Sequence, residues 1–197
     1  MTEEKKLTEK ESLEIITSMI TRAKCAYDET GVSALMWGII VVFCSLVTFF
    51  NDYLHWQWLN YVWLLTAAAV IPQVVIAIRE RRRRRYKSYD SVTMSAIWIS
   101  FGVGLLLFSY FAGLYNVPHA ESVYLMFYGI PTFTTGMMTN FKPMTWGGIA
   151  CWVICIISFY VHFPDTMLLT AIAAIIAWFI PGLMLRAKYL QLKKENV

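Results

Sequence analysis

Six long apolar runs without ionisable side chains constrain this chain more than any other feature of its sequence. Each run is 17 to 23 residues long, and none contains Asp, Glu, Lys, Arg or His. A helix needs roughly 17–25 apolar residues to cross the hydrocarbon of a bilayer, and it satisfies its own backbone hydrogen bonds there. We therefore predict an all-α membrane protein, a six-transmembrane-helix bundle of three hairpins, whose spans are Val32–Phe50, Trp58–Ile78, Val92–Leu114, Ser122–Met138, Met144–Val161 and Thr166–Leu185.

Little of the chain is left outside these spans. Hydrophobic residues make up 58% of the sequence and charged residues 15%, against about 45–50% and 25% in soluble domains. The predicted organisation is a segment at 1–31, a membrane domain at 32–185 and a tail at 186–197. The first segment is too short to carry a core of its own, so any chemistry would have to occur within the bundle.

The distribution of positive charge predicts the orientation. All 17 Lys and Arg residues lie before the first span, after the last one, or in the connectors after the second and fourth spans. The other connectors, 51–57, 115–121 and 162–165, contain acidic residues but no Lys or Arg. Because cytoplasmic loops collect Lys and Arg, we predict that both termini are cytoplasmic and that the protein is multi-pass in a bacterial inner membrane.

One connector is strongly basic. The run from Arg79 to Lys87 has a single acidic residue, Glu80, and directly follows the second span. The favoured interpretation is a topology anchor. A second interpretation is contact with acidic lipid or a protein partner, since each basic residue near an anionic leaflet contributes about 1 kcal/mol; nucleic acid is disfavoured as a partner. The residues that would make this contact are Arg81, Arg82, Arg83, Arg84 and Arg85.

The segment before the first span predicts a cytoplasmic amphipathic helix over Thr8–Tyr27. Thr8 and Glu11 fit a capping box at its start, and apolar residues then recur at steps of three and four. Its charges cancel, whereas helices that lie on anionic membranes are usually rich in Lys and Arg. We therefore expect protein as its contact, either its own bundle or a regulatory or oligomeric partner.

The three hairpins share a weak repeat. The outgoing helices carry an aromatic–glycine pair at Trp37-Gly38, Phe101-Gly102 and Trp146-Gly147, and the returning helices carry Ile-Pro at Pro72, Pro131 and Pro181. Proline can kink a membrane helix, and broken helices surround the binding sites of transporters built from repeats. The pattern raises the alternative of a central cavity in a small transporter.

Two groups of polar residues are site candidates. Gln73 beside Pro72 either lines a pocket or, the favoured interpretation, bridges two helices by a hydrogen bond. His55, His119 and His162 lie one in each basic-free connector with an acid nearby. They could bind Zn²⁺ or sense pH if they converge, but short polar loops collect such residues, and we expect no metal site. No catalytic or nucleotide-binding motif is present in the sequence, so an enzyme is disfavoured and no cofactor is expected.

The sequence also resembles a known group of proteins. At Leu7-Thr8-Glu9-Lys10-Glu11-Ser12-Leu13-Glu14-Ile15-Ile16, then Trp37-Gly38 and finally Ile180-Pro181-Gly182-Leu183, it is similar to uncharacterised small six-helix membrane proteins of Bacteroidota. Members of that family often lie beside winged-helix transcriptional regulators, so the resemblance implies a membrane sensor or envelope-stress component. It implies no activity and no site residues. The basic run Arg81–Arg85 departs from the family pattern.

Two functional hypotheses follow from the sequence. The leading one is a non-enzymatic inner-membrane protein, a sensor, regulatory or assembly component that acts through its cytoplasmic face. Its partners would be membrane lipids and either a second copy of the chain or a regulatory protein. The alternative is a small transporter or channel-like protein for a neutral or lipid-like molecule.

Overall fold

The computed structural model describes residues 30–55, 61–83 and 89–195. Within these ranges the chain forms helices and turns and no strand, which confirms the all-helical prediction. The predicted amphipathic helix Thr8–Tyr27 lies outside the described residues, as do Arg84 and Arg85. The helices are α1 Val32–Tyr53, α2 Leu64–Arg83, α3 Tyr89–Tyr115, α4 Ala120–Met138, α5 Lys142–Ser158, α6 Asp165–Ala174 and α7 Ile180–Glu195, and a π-helical segment, Ile175–Phe179, joins α6 to α7.

Three of these stretches are long and apolar enough to cross a membrane: Val32–Tyr53, Val92–Tyr115 and Asp165–Gln191. Helix α5 is apolar but shorter. Helix α2 begins at Leu64, six residues after the predicted start of its span, because residues 61–63 form a turn in which three successive N–H groups bond carbonyls three residues back. The membrane character of the chain therefore rests on long apolar helices, as the sequence predicts.

Successive helices run in alternating directions, so the bundle has two chemically different ends. Described positive side chains such as Arg79, Lys142 and Lys188 gather at one end, which we call the basic end. The connectors that follow α1, α3 and α5 meet at the opposite end and carry His55, His119 and His162. We call this the histidine end.

Helices α1, α4, α5 and the continuous helix α6–α7 form the core. Their backbones approach closely where glycine replaces a side chain. A Cβ on Gly136 would lie 2.6 Å from Thr145 Oγ1, and one on Gly148 would lie 2.6 Å from the Phe133 backbone nitrogen. Small residues allow membrane helices to pack this closely, which fixes the α4–α5 hairpin.

Helices α2 and α3 lie at the periphery. Among the described elements, α2 contacts α1 alone and α3 contacts α4 alone. Large apolar side chains on both helices are consequently exposed, including Ile71 at 71% and Leu106 at 73%. An apolar surface of this width needs lipid or another protein as its neighbour.

The proposed repeat of glycine and proline is only partly reproduced in the packing. Gly38 and Gly147 both abut the π-helical segment: a Cβ would lie 3.0 Å from the Phe179 nitrogen and 2.8 Å from the Ala177 Cα. Gly102, the third member, has nothing within 4 Å. Pro131 and Pro181 are fully buried whereas Pro72 is exposed. At Gly38 and Gly147, the backbone of the last helix fills the space in which the sequence suggested a central cavity.

The π-helical segment lies just before Pro181. The Ile180 N–H bonds the Ile175 carbonyl, five residues back instead of four. Proline lacks an N–H and crowds the preceding turn, and a π-bulge widens the turn locally and often marks a functional position. Trp178 and Ala177 of this segment are both buried in the core.

Candidate functional site

Polar side chains connect α2 to α1 along its length. Gln73 Oε1 accepts hydrogen bonds from Ser33 Oγ at 2.7 Å and from Trp37 Nε1 at 3.1 Å. Nearer the histidine end, Trp63 Nε1 donates to Thr48 Oγ1 at 2.9 Å. Gln73 therefore bridges helices through its carbonyl oxygen, which corresponds to the favoured interpretation of this residue and not to an open pocket.

The basic end carries a further bridge between the same two helices. Thr30 Oγ1 donates to Glu80 Oε1 at 2.6 Å, so the single acid of the basic run is held against the start of α1. Arg79 and Arg82 are exposed on the last turns of α2. The hydrogen bond directs Glu80 inward and leaves positive charge on the surface.

The histidines are exposed and occupy turns. His55 and His119 both have left-handed backbone conformations, with φ of 55° and 54°. Histidine is among the residues enriched at such positions. The His119 ring packs against Phe159 with centroids 5.7 Å apart. In the described ranges, which include all three histidines, no three His, Cys, Asp or Glu side chains are grouped to hold a metal ion.

An aromatic cluster fills the middle of the core. Trp178 Nε1 donates to Thr132 Oγ1 at 2.9 Å, and Thr132 Oγ1 donates to the Tyr128 carbonyl at 2.7 Å. The Tyr128 and Trp178 rings lie 4.8 Å apart. The indole is thus paired within the protein and is not available to a guest.

A buried polar layer lies near the histidine end. Ser158 Oγ donates to Ser122 Oγ at 2.7 Å, and Cys155 Sγ donates to the Ser122 carbonyl. The register of Gly147 against Ala177 places Ser158 level with Thr166, whose buried hydroxyl has no partner in the described part of the chain. Such a hydroxyl often binds an internal water molecule.

A groove of about 420 Å³ lies between α3 and α4. It is partly open, since Ala96, Ser100 and Ile130 are exposed along its walls. Hydroxyl groups line the part nearer the basic end, and the rings of Phe101 and Phe127 line the part farther from it. The residues that shape it include Thr93, Ala96, Ser100, Phe127, Pro131 and Thr134.

Sequence reasoning placed Gln73 correctly within the bundle but did not find the groove or the aromatic cluster. Pro131 was singled out as a kink, and it forms part of the groove wall. The groove depends on how α3 leans on α4, which periodicity within one helix does not encode. The Trp178–Thr132 contact joins residues 46 positions apart and has no local signal.

The chain stands apart in the three comparisons made with known proteins. No protein-family model matches it, and neither a curated protein nor a solved structure is similar to it.

Proposed function

We propose that this chain is a non-enzymatic component of a bacterial inner membrane that crosses the bilayer six times and assembles with itself or with a regulatory protein. Both termini and the basic end lie on the cytoplasmic side. The alternating helix directions and the gathering of positive side chains at one end support this orientation through the preference of Lys and Arg for cytoplasmic loops.

One observation carries the assembly proposal. The four-helix core is closed by contacts between backbones, as at Gly147 and Ala177, while α2 and α3 each contact one described neighbour. A helix that packs on one side only offers its remaining faces to lipid or to another chain. Among membrane helices, association depends on packing and interhelical hydrogen bonds, because the lipid tails are as apolar as the side chains.

The cytoplasmic face supplies the regulatory part of the proposal. The amphipathic pattern over Thr8–Tyr27 and the basic run beside α2 both belong to this side. The resemblance to six-helix proteins found beside winged-helix regulators agrees with a sensor whose output is a protein contact. Nucleic acid remains disfavoured as a direct partner.

Native mass spectrometry of the full chain in mild detergent tests this proposal. We expect a defined oligomer or a stoichiometric protein partner. Two cysteine variants then identify the helix involved: Ile71→Cys on α2 and Leu106→Cys on α3, which are equally exposed in one copy. Efficient cross-linking of one variant and not the other identifies the interface. A lone monomer, with neither variant cross-linked in the membrane, contradicts assembly.

A second candidate is transport of a lipid-like molecule. The groove between α3 and α4 favours it, because a volume of about 420 Å³ falls within the range of roughly 300–1,000 Å³ typical of ligand sites. Transfer of fluorescent lipid between the leaflets of proteoliposomes distinguishes the two functions. Transfer above that of empty vesicles supports the transport candidate.

A further inference from the structure

The groove between α3 and α4 has a polar part and an apolar part. Thr93 and Thr134 lie nearest the basic end, one on each helix, while Phe101 and Phe127 lie farther along the groove. Thr134 Oγ1 donates to the Ile130 carbonyl at 2.7 Å, so its hydrogen is already used and its oxygen remains an acceptor. This gradient from hydroxyl to ring suits an amphiphile whose head points toward the basic end.

The dimensions of the groove exclude a helix as its occupant. From Thr93 to Phe101 the α3 axis rises about 12 Å at 1.5 Å per residue. A volume of about 420 Å³ spread over that length gives a mean cross-section of roughly 35 Å², whereas a helix about 10 Å across has a cross-section of roughly 80 Å². A single extended hydrocarbon chain is narrow enough, and a helix from a second copy is not.

The charge at the mouth of the groove selects the head group. Arg82 and Lys142 are exposed at the basic end, after α2 and at the start of α5. Six peptide steps join Arg83 to Tyr89, so the end of α2 lies within about 21 Å of the start of α3. Positive side chains at a membrane surface attract anionic lipids, each by about fivefold in the binding equilibrium.

From these observations we infer that the groove binds one acyl chain of an anionic phospholipid, whose phosphate faces Arg82 and Lys142. The inference rests on the proposed membrane function and names a ligand for it. Ser100 and Ala96, both small and exposed, leave the space that the chain occupies. The bound lipid covers apolar surface that α3 and α4 leave open between them.

The experiment uses the purified full chain and native mass spectrometry after incubation with phosphatidylglycerol or with phosphatidylcholine of the same acyl chains. We expect one phosphatidylglycerol per protein to survive removal of detergent, with weaker retention of phosphatidylcholine. The double variant Ala96→Phe, Ser100→Phe fills the groove and abolishes retention of the bound lipid. Ala67→Phe, Ala68→Phe adds the same rings at exposed positions of α2 and leaves it unchanged.

Head-group recognition is tested separately by Arg82→Gln and Lys142→Gln. Each change is expected to lower the preference for phosphatidylglycerol over phosphatidylcholine by about fivefold. The single variant Ser100→Leu provides the same steric test if the double variant does not fold. Undiminished retention in a folded groove variant overturns the acyl-chain site, and equal retention of the two lipids overturns the charge selection.

The same spectra separate this inference from the proposed function, because they report protein stoichiometry and bound lipid together. A monomer that retains one phosphatidylglycerol supports the groove site and contradicts self-assembly. An oligomer whose lipid retention is unaffected by the groove variant supports assembly and overturns the groove site.

Discussion

Trp178 on the last helix donates a hydrogen bond from Nε1 to Thr132 Oγ1 on α4 at 2.9 Å. The donor lies in the π-helical segment before Pro181, so the irregular turn and the polar contact occur at the same place. The contact joins the second and the last core helices across the middle of the bundle. It makes the stability of the core sensitive to one side chain in an irregular turn.

Removing this hydrogen bond should weaken the core. Trp178→Phe keeps an aromatic ring but deletes the donor, and we expect a loss of about 0.5–1.5 kcal/mol in the free energy of unfolding. Thermal unfolding in detergent measures the effect. Trp146→Phe, at a residue that is 68% exposed, is the matched control and should leave the midpoint unchanged. Equal midpoints for both variants would contradict a central role for Trp178.

The aromatic–glycine pairs give a second prediction. Gly147→Ala places a Cβ against the Ala177 backbone, and we expect a net destabilisation of about 1 kcal/mol or more from overpacking. Gly102→Ala meets open space and should be neutral or stabilising by up to about 1 kcal/mol through helix propensity. Unfolding in the same detergent compares them. A stabilising Gly147→Ala would rule out tight packing there.

Gln73 gives a third prediction. Gln73→Leu leaves the Ser33 hydroxyl and the Trp37 indole without their acceptor, and we expect a loss of about 1–2 kcal/mol, concentrated in the attachment of α2 to α1. Hydrogen exchange should accelerate in α2 while the core helices change little. Ile71→Leu, on the exposed side of α2, is the control. Uniform acceleration in every helix would argue against a local bridge.

The histidines give a fourth prediction, which separates a turn role from chemistry. His119→Val puts a β-branched residue at φ 54° and should cost about 1–2 kcal/mol, whereas His119→Asn tolerates that conformation and should be nearly neutral. His162 has no positive φ, so His162→Val should have little effect. If His119→Asn is as damaging as His119→Val, the imidazole itself is needed.

The sequence alone was sufficient to predict an all-helical membrane chain and the approximate positions of its helices, because both follow from local properties. A run such as Val32–Phe50 must be helical in lipid whatever surrounds it, since its backbone has no other hydrogen-bond partners. The observed helix α1, Val32–Tyr53, differs by three residues at one end. The glycine and proline positions singled out by the repeat were also informative about where helices meet.

Tertiary structure decided which of these features matter together. Gly38 and Gly147 look like Gly102 in sequence, yet only the first two meet the last helix. Gln73 became a bridge because Ser33 and Trp37 of α1 face it. The groove exists because α3 leans on α4 near Pro131. Helix formation depends on nearest neighbours in the chain, whereas contacts between helices depend on shape complementarity between residues far apart in it, which the pattern of any one helix leaves open.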